Sequence, residues 1–183
     1  MSVIDTTTTQ IAPAGTWQAD KAHSNVAFEV VHSGISTFRG GFADFEATLT
    51  GGDEPRLEGS ARVASVTVSD ENLTGHLQSP DFFDAQRYPE ITFSATELRR
   101  AEDGSVEARG ELTLRGVTQP VELTGVAHGP ITDAFGNERL GLRLETTIDR
   151  TQFGITWNAP LPGGGNLLAD DVKLVAELSL VKA

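Results

Sequence analysis

Residues 70–93, DENLTGHLQSPDFFDAQRYPEITF, differ from the sequence on either side, where apolar and polar residues alternate as they do in β-strands. Ser69 is a residue type that caps helices, and the two acidic residues after it suit the positive end of a helix dipole. Leu73 and Leu77 then fall one turn apart on the same face. The stretch therefore predicts a short helical plug set into an all-β chain.

Outward from the plug, the alternation predicts eight strands. One of them starts at Gly40 and has a bulge near Ala43-Asp44, and the next runs from Leu57 to Val68. The alternation is clearest over residues 106–115, where apolar or small residues at even positions alternate with charged or polar residues at odd ones. Asp103-Gly104, just before it, predicts a type I′ hairpin turn, because that turn needs positive φ at both central residues. Since the connections are short, neighbouring strands are expected to be antiparallel.

Even strand spacing favours closure of the sheet into a barrel over a two-layer sandwich. Small residues lie midway along several inner faces, and they either leave room for one small ligand or relieve bends at barrel corners. These residues are Gly59, Ala61, Ala108, Gly110, Gly125 and Ala127. The predicted fold is an all-β, eight-stranded antiparallel barrel over residues 16–183, preceded by a disordered, threonine-rich lead-in over residues 1–15.

The composition excludes several classes of function. The chain of 183 residues has no cysteine, so disulfides and thiolate metal sites are impossible. A formal net charge of −12 disfavours nucleic acids and anionic membrane surfaces as partners. The amino terminus shows neither a basic segment nor an apolar one of the secretory type, and no apolar run is long enough to cross a bilayer, so a cytoplasmic location is expected.

No motif nominates a catalytic, metal or cofactor site. The four histidines lack metal-ligand spacing, and no GxSxG sequence is present. Aromatic residues, in contrast, occupy the predicted strands and the plug. They predict either a lumen that favours a long apolar guest or a core filled by the rings themselves.

Six motifs in order resemble those of the YceI-like family of lipid-binding proteins. They are DKAHSNVAFEVVH at 20–32, GGF at 40–42, HLQSPDFFD at 76–84, YPEITF at 88–93, LRGVT at 114–118 and DRTQFGITW at 149–157. The resemblance covers about residues 17–181 and implies a lipocalin-like barrel that holds a polyisoprenoid chain in its lumen. Two features depart from it: many members carry a secretion signal, and many have Arg-Asp where this chain has Leu73-Thr74.

On this basis the sequence predicts a non-enzymatic protein that binds, stores or transports a polyisoprenoid or isoprenoid quinone. The predicted apolar lining consists of Phe28, Val30, Phe42, Phe45, Leu77, Phe82, Phe83, Phe93, Leu112, Leu123, Phe153 and Trp157. The candidate contacts for a polar head group are His32, Arg39, His76 and Arg150.

Two other functions stay open. One is an enzyme acting on a prenyl lipid, in which His76 with Asp81 or Asp84 would supply acid–base chemistry. The other is a stress-linked interaction module whose barrel core is filled. A homodimer is a further expectation, since a partly open barrel exposes strand edges.

Overall fold

Antiparallel strands make up most of residues 8–183, the part of the chain that the computed structural model describes. The strands are β1 Thr8–Thr9, β2 Gly15–Ala19, β3 Asn25–His32, β4 Ser36–Phe42, β5 Phe45–Gly51, β6 Arg56–Arg62, β7 Val66–Thr67, β8 Glu90–Ala101, β9 Ser105–Leu114, β10 Val117–Thr132, β11 Glu138–Asp149 and β12 Leu168–Lys182. The helix α1 spans Glu71–Gln78. Single 3₁₀ turns occupy Lys21–His23, Val63–Ser65 and Arg150–Phe153.

Eight of these strands close into a barrel, as the alternation predicts. The hydrogen-bonded order is β2, β5, β6, β8, β9, β10, β11 and β12, and β12 returns to β2 to complete the ring. All these pairings are antiparallel. Closure removes the free edges that an open sheet of this length would expose.

One side of the barrel is extended beyond the ring. The last residues of β12 pair with β2, whereas its first part pairs with β3. β3 in turn pairs with β4, and the end of β4 pairs with β7. The strand predicted to start at Gly40 is divided here into β4 and β5, with the break at Ala43-Asp44. The strand predicted from Leu57 to Val68 is likewise broken by a 3₁₀ turn. Because of these breaks, β5 and β6 pair in the ring, whereas β4 and β7 pair in the extension.

A packed floor fills one end of the barrel. Trp17, Leu49, Leu140 and Leu180 are almost fully buried there. Ile11 and Ala12 pack into this floor at 1% exposure each, and Thr8–Thr9 pairs with β8, so residues 8–15 differ from the disordered lead-in that the sequence predicts. Apolar burial and pairing with distant strands order this segment. Residues 1–7 of the predicted lead-in lie outside the described residues.

The small inner-face residues divide between the two roles left open by the sequence. A Cβ at Gly110 would fall on the carbonyl oxygen of Ser94, and one at Gly125 on that of Arg143, so these glycines permit close approach of neighbouring strands. A Cβ at Gly59 would meet only the Glu46 carbonyl oxygen, at 3.5 Å. Gly59 therefore leaves unfilled space inside the barrel.

One turn differs from its sequence-based prediction. At Asp103-Gly104 only the glycine has positive φ, and Asp103 Oδ1 accepts a hydrogen bond from the Ser105 backbone, so the hairpin forms without a type I′ turn. Arg115-Gly116 instead has positive φ at both residues, 51° and 71°. That turn joins β9 to β10.

The plug helix begins one residue later than the predicted cap. Asp70, and not Ser69, is the N-cap, because its carboxylate accepts a hydrogen bond of 3.0 Å from the Leu73 backbone N–H. The segment after the helix folds back on it: Phe83 N–H donates to Leu77 O, and Ala85 N–H donates to Gln78 O. These bonds satisfy carbonyl groups that a helix end leaves unpaired. No helix in residues 8–183 has the length and apolar character needed to cross a membrane.

Candidate functional site

A cavity of about 580 Å³ occupies the half of the barrel above the packed floor. Its wall is almost entirely carbon and comes from the barrel strands, the β3–β4 extension and the plug. Gly59 and Ala61 border it, and their small size leaves this space open. The volume falls within the range of roughly 300–1,000 Å³ that is typical of small-molecule sites.

Aromatic rings line the plug side of the cavity in two groups. Phe28 contacts Phe42 and Phe83 with ring centroids 5.9 and 6.0 Å apart, and Phe42 contacts Phe83 at 5.6 Å. In the second group, Trp157 lies 5.4 Å from Phe82. The tilted and edge-on arrangements are those that aromatic pairs prefer. The rings thus form a fixed wall against which an apolar chain can pack.

Gly40 explains why the first aromatic group can form. A Cβ at this position would overlap the ring of Phe28, which lies across the glycine on the neighbouring strand. The GGF sequence at 40–42 therefore makes room for one aromatic ring and supplies another, Phe42.

Arg115 fastens the plug to the barrel. Its Nη2 donates a hydrogen bond of 2.7 Å to the carbonyl oxygen of Pro80, and its Nη1 donates to that of Gly154. One side chain in the β9–β10 turn thereby holds both the plug and the 3₁₀ turn after β11. The adjacent Gly116 lies against the Tyr88 ring, where a Cβ would not fit. The plug is consequently positioned by the LRGVT motif at 114–118.

Arg150 is a buried cation on the cavity wall, only 4% exposed. Its Nε donates to Ala169 O, and its Nη1 donates to the carbonyl oxygens of Ile155 and Trp157, each at 2.9 Å. Burial lowers the pKa of Arg150, and the carboxylates of Asp170 and Asp149 oppose that shift. The side chain shapes the backbone that carries Trp157.

His76 also borders the cavity, in the last turn of α1. Its Nε2 lies 3.0 Å from Asp81 Oδ2, and its ring meets those of Phe82 and Trp157 edge-on, with centroids 4.9 and 4.8 Å away. Asp84, the other predicted partner of His76, is 3% exposed and lies 3.7 Å from Arg87 Nη1. The structure therefore pairs His76 with Asp81.

Thirteen of the sixteen predicted binding residues border the cavity. They are Phe28, Val30, His32, Phe42, His76, Leu77, Phe82, Phe83, Phe93, Leu112, Leu123, Arg150 and Trp157. Leu73, which departs from the Arg-Asp that the resemblance implies, also borders it and adds carbon to the wall.

The other three predicted residues lie elsewhere. Arg39 is on the outer face, with its side chain 67% exposed and its Nε 2.9 Å from Glu29 Oε1. Phe45 and Phe153 are buried in the hydrophobic core at 4% and 2% exposure, outside the cavity wall. Arg39 lies opposite Glu29 in the β3–β4 pair, so the two side chains share the outer face of the sheet.

Sequence reasoning missed part of the wall. The missed apolar residues include Phe38, Leu73, Val121, Leu144, Ile148 and Leu174. Leu144, Ile148 and Leu174 occupy positions of β11 and β12 whose side chains point into the barrel, so the alternation of apolar and polar residues predicts their orientation. Phe38 was missed because β4 begins at Ser36, four residues before the predicted start. In residues 8–183, no three His, Asp or Glu side chains come together as a metal-binding group.

Comparison with known proteins identifies relatives of this chain. The YceI-like domain family matches residues 17–180. A UPF0312 protein from Pseudomonas putida strain W619 is 32% identical over 151 residues, which cover 79% of this chain and 78% of the relative.

Solved structures share the fold. The YceI protein of Campylobacter jejuni is 28% identical with a TM-score of 0.69, covering 90% of this chain and 96% of that one. A polyisoprenoid-binding domain from Saccharophagus degradans, implicated in plant cell wall breakdown, has a TM-score of 0.70 at 12% identity, covering 93% and 99% of the two chains. The match over nearly the whole barrel and the motifs that build its cavity establish that the chain belongs to the YceI-like domain family.

Proposed function

We propose that this protein binds a long apolar lipid, a polyisoprenoid or an isoprenoid quinone, inside the barrel and stores or transports it. The observation that carries the proposal is the cavity of about 580 Å³ with a wall almost entirely of carbon. Membership of the YceI-like family and the fold shared with a polyisoprenoid-binding domain support it.

The energetics favour such a guest. Each buried methylene group contributes about 0.8 kcal/mol, so a chain of roughly ten carbons gains about 8 kcal/mol before the cost of ordering it. The proposed contacts are the thirteen predicted residues on the cavity wall. The rings of Phe28, Phe83 and Trp157 would pack against the chain, because each is held by aromatic neighbours.

Native mass spectrometry and lipid extraction of the purified protein test the proposal. We expect one prenyl lipid per chain, either carried through purification or taken up from added prenyl alcohol. A folded protein that neither carries nor takes up a prenyl alcohol or a prenyl quinone would overturn the proposal.

A second candidate function is an enzyme acting on a prenyl lipid. The contact between His76 and Asp81 favours it, because a carboxylate that orients an imidazole beside a cavity is a common acid–base arrangement. Turnover of prenyl diphosphates or quinones, lost in His76→Ala, would support this function. Absence of turnover by a protein that binds prenyl lipid would leave the carrier function.

The filled-core interaction module is not favoured, since the cavity is unfilled by protein atoms. A cytoplasmic location and a homodimer remain parts of the proposal. The lack of cysteine suits a reducing compartment. Cell fractionation would test the location, and light scattering of the purified protein would test the dimer.

A further inference from the structure

The cavity reaches the surface at the tip of the β3–β4 pair. His32 and Ser36 are register partners there, and both border the cavity. Ser36 shares the inner face of β4 with Phe38 and Phe42, yet it is exposed. A residue that lies on the inner face and is still exposed marks an opening, so this tip forms one edge of the cavity mouth.

A second segment stands beside this tip. Leu167 borders the cavity, and its carbonyl oxygen accepts a hydrogen bond of 2.7 Å from the Ser33 N–H. The chain just before it, residues 160–166, forms a turn whose two ends pair with each other. Residues 33–36 and 160–166 together form the rim of the cavity mouth.

The rim exposes apolar side chains. Ile35, at the tip of the hairpin, is 88% exposed. Pro160 and Pro162 are exposed as well, and Leu161 between them is half-buried. A lone exposed apolar side chain is ordinary, whereas several of them around the opening of an apolar cavity indicate a surface that meets an apolar partner.

The rim is also free of formal charge in a strongly acidic chain. The formal net charge of the chain is −12, yet residues 151–169 contain no ionisable side chain, and residues 30–38 contain only His32. Asp170 and Asp171 follow directly after the uncharged loop. Such a surface fits the zwitterionic head groups of a neutral bilayer, whereas an anionic bilayer would be repelled by the acidic residues of the rest of the chain.

We propose that the rim docks on a neutral lipid bilayer, so that the prenyl lipid passes directly between the bilayer and the cavity. The inference rests on the proposed function and adds the partner from which the lipid is taken or to which it is delivered. A long apolar chain is costly to expose to water, and a docked rim removes that step. The contact relies mainly on Ile35, so docking is shallow and transient.

Transfer kinetics of the unmodified protein test the proposal. The protein is loaded with a fluorescent prenyl alcohol and mixed with excess phosphatidylcholine vesicles that contain a quencher lipid. We expect the transfer rate to rise in proportion to the vesicle concentration, because contact with the bilayer limits it. A rate that does not change with vesicle concentration would mean release into water and would overturn the proposal.

Two variants locate the contact. Ile35→Ser removes the exposed apolar group from the rim, and we expect transfer to slow about tenfold while the equilibrium affinity for the lipid stays within about twofold. Phe135→Ser is the matched control, because Phe135 is 90% exposed but lies between β10 and β11, at the floor end of the barrel. This control should transfer lipid at the unmodified rate. Unchanged transfer by Ile35→Ser, or equal slowing by both variants, would overturn the assignment to the rim.

The remaining outcomes concern the partner. Vesicles that contain phosphatidylglycerol should accept the lipid more slowly than phosphatidylcholine vesicles at low salt, and faster transfer to them would overturn the assignment of a neutral bilayer. If light scattering shows that Ile35→Ser converts a dimer into a monomer, the rim covers a second copy of this chain and the bilayer proposal falls.

Failure of the inference and failure of the proposed function are distinguishable. Uptake of the prenyl alcohol at equilibrium without vesicle-dependent transfer would overturn the inference alone. If the unmodified protein takes up no prenyl alcohol at all, the proposed function fails and the inference fails with it.

Discussion

Filling the cavity from Gly59 is expected to weaken lipid binding without harming the fold. Gly59 borders the cavity, and a Cβ there would meet a single atom, the Glu46 carbonyl oxygen, at an ordinary contact distance of 3.5 Å. In Gly59→Leu, the new side chain would displace about four methylene-sized groups of the guest, or about 3 kcal/mol. Affinity for a prenyl alcohol should therefore fall roughly a hundredfold.

The assay compares binding with stability. Prenyl alcohol affinity is measured by displacement of a fluorescent prenyl probe, and stability is measured by thermal unfolding. Thr50→Leu, which places the same side chain on the exposed outer face of β5, is the matched control and should bind as the unmodified protein does. Gly59→Leu should unfold at no lower temperature, because a glycine inside a strand costs roughly 0.5–1 kcal/mol. A stable Gly59→Leu with unchanged affinity would refute the placement of the guest in this cavity.

Three other predictions concern the scaffold. Gly125→Ala should lower the free energy of unfolding by about 1–3 kcal/mol, because its Cβ would fall on the Arg143 carbonyl oxygen, whereas Gly59→Ala should not; urea unfolding of both variants checks this. Arg115→Ala should speed hydrogen exchange in residues 79–89, since it releases Pro80 and Gly154, and unchanged exchange would contradict its anchoring role. Hydrogen bonds from His23 and Arg139 lower the pKa of Asp20 to about 2, and one from Arg139 lowers that of Asp133. The stabilisation from Asp20 is therefore present above about pH 4 and is lost as the pH falls through about 2, and that from Asp133 is lost at still lower pH. Arg139→Met should flatten the melting temperature between about pH 4 and 2, and an unchanged acid dependence would exclude this cause.

The strand pattern was predictable from sequence because alternation is a local property. Over residues 106–115, the inward side chains of β9 follow directly from the order of apolar and polar residues. Order in residues 8–15 was not predictable, since its cause is distant in sequence. The Gly52 N–H donates to Ala12 O, and Arg100 Nη1 lies 3.4 Å from Ile11 O.

Alternation also predicts which way a side chain points but not how far along the barrel it lies. Phe45 points inward yet belongs to the packed core, whereas Phe93, two strands away in the sheet, borders the cavity. Arg39 was predicted to contact a head group because the predicted strand starts at Gly40, whereas the residue lies inside β4 and shares the outer face with Glu29. The three hydrogen bonds that hold Arg150 depend on the carbonyl groups of Ala169, Ile155 and Trp157, which only the folded chain brings together.

A crystal structure of the protein saturated with phytol would test the central claim most directly. Continuous density for one chain inside the cavity, between the rings of Phe28 and Trp157, is the predicted result. Density for ordered water throughout the cavity, with phytol bound only on the outer surface, would contradict the account.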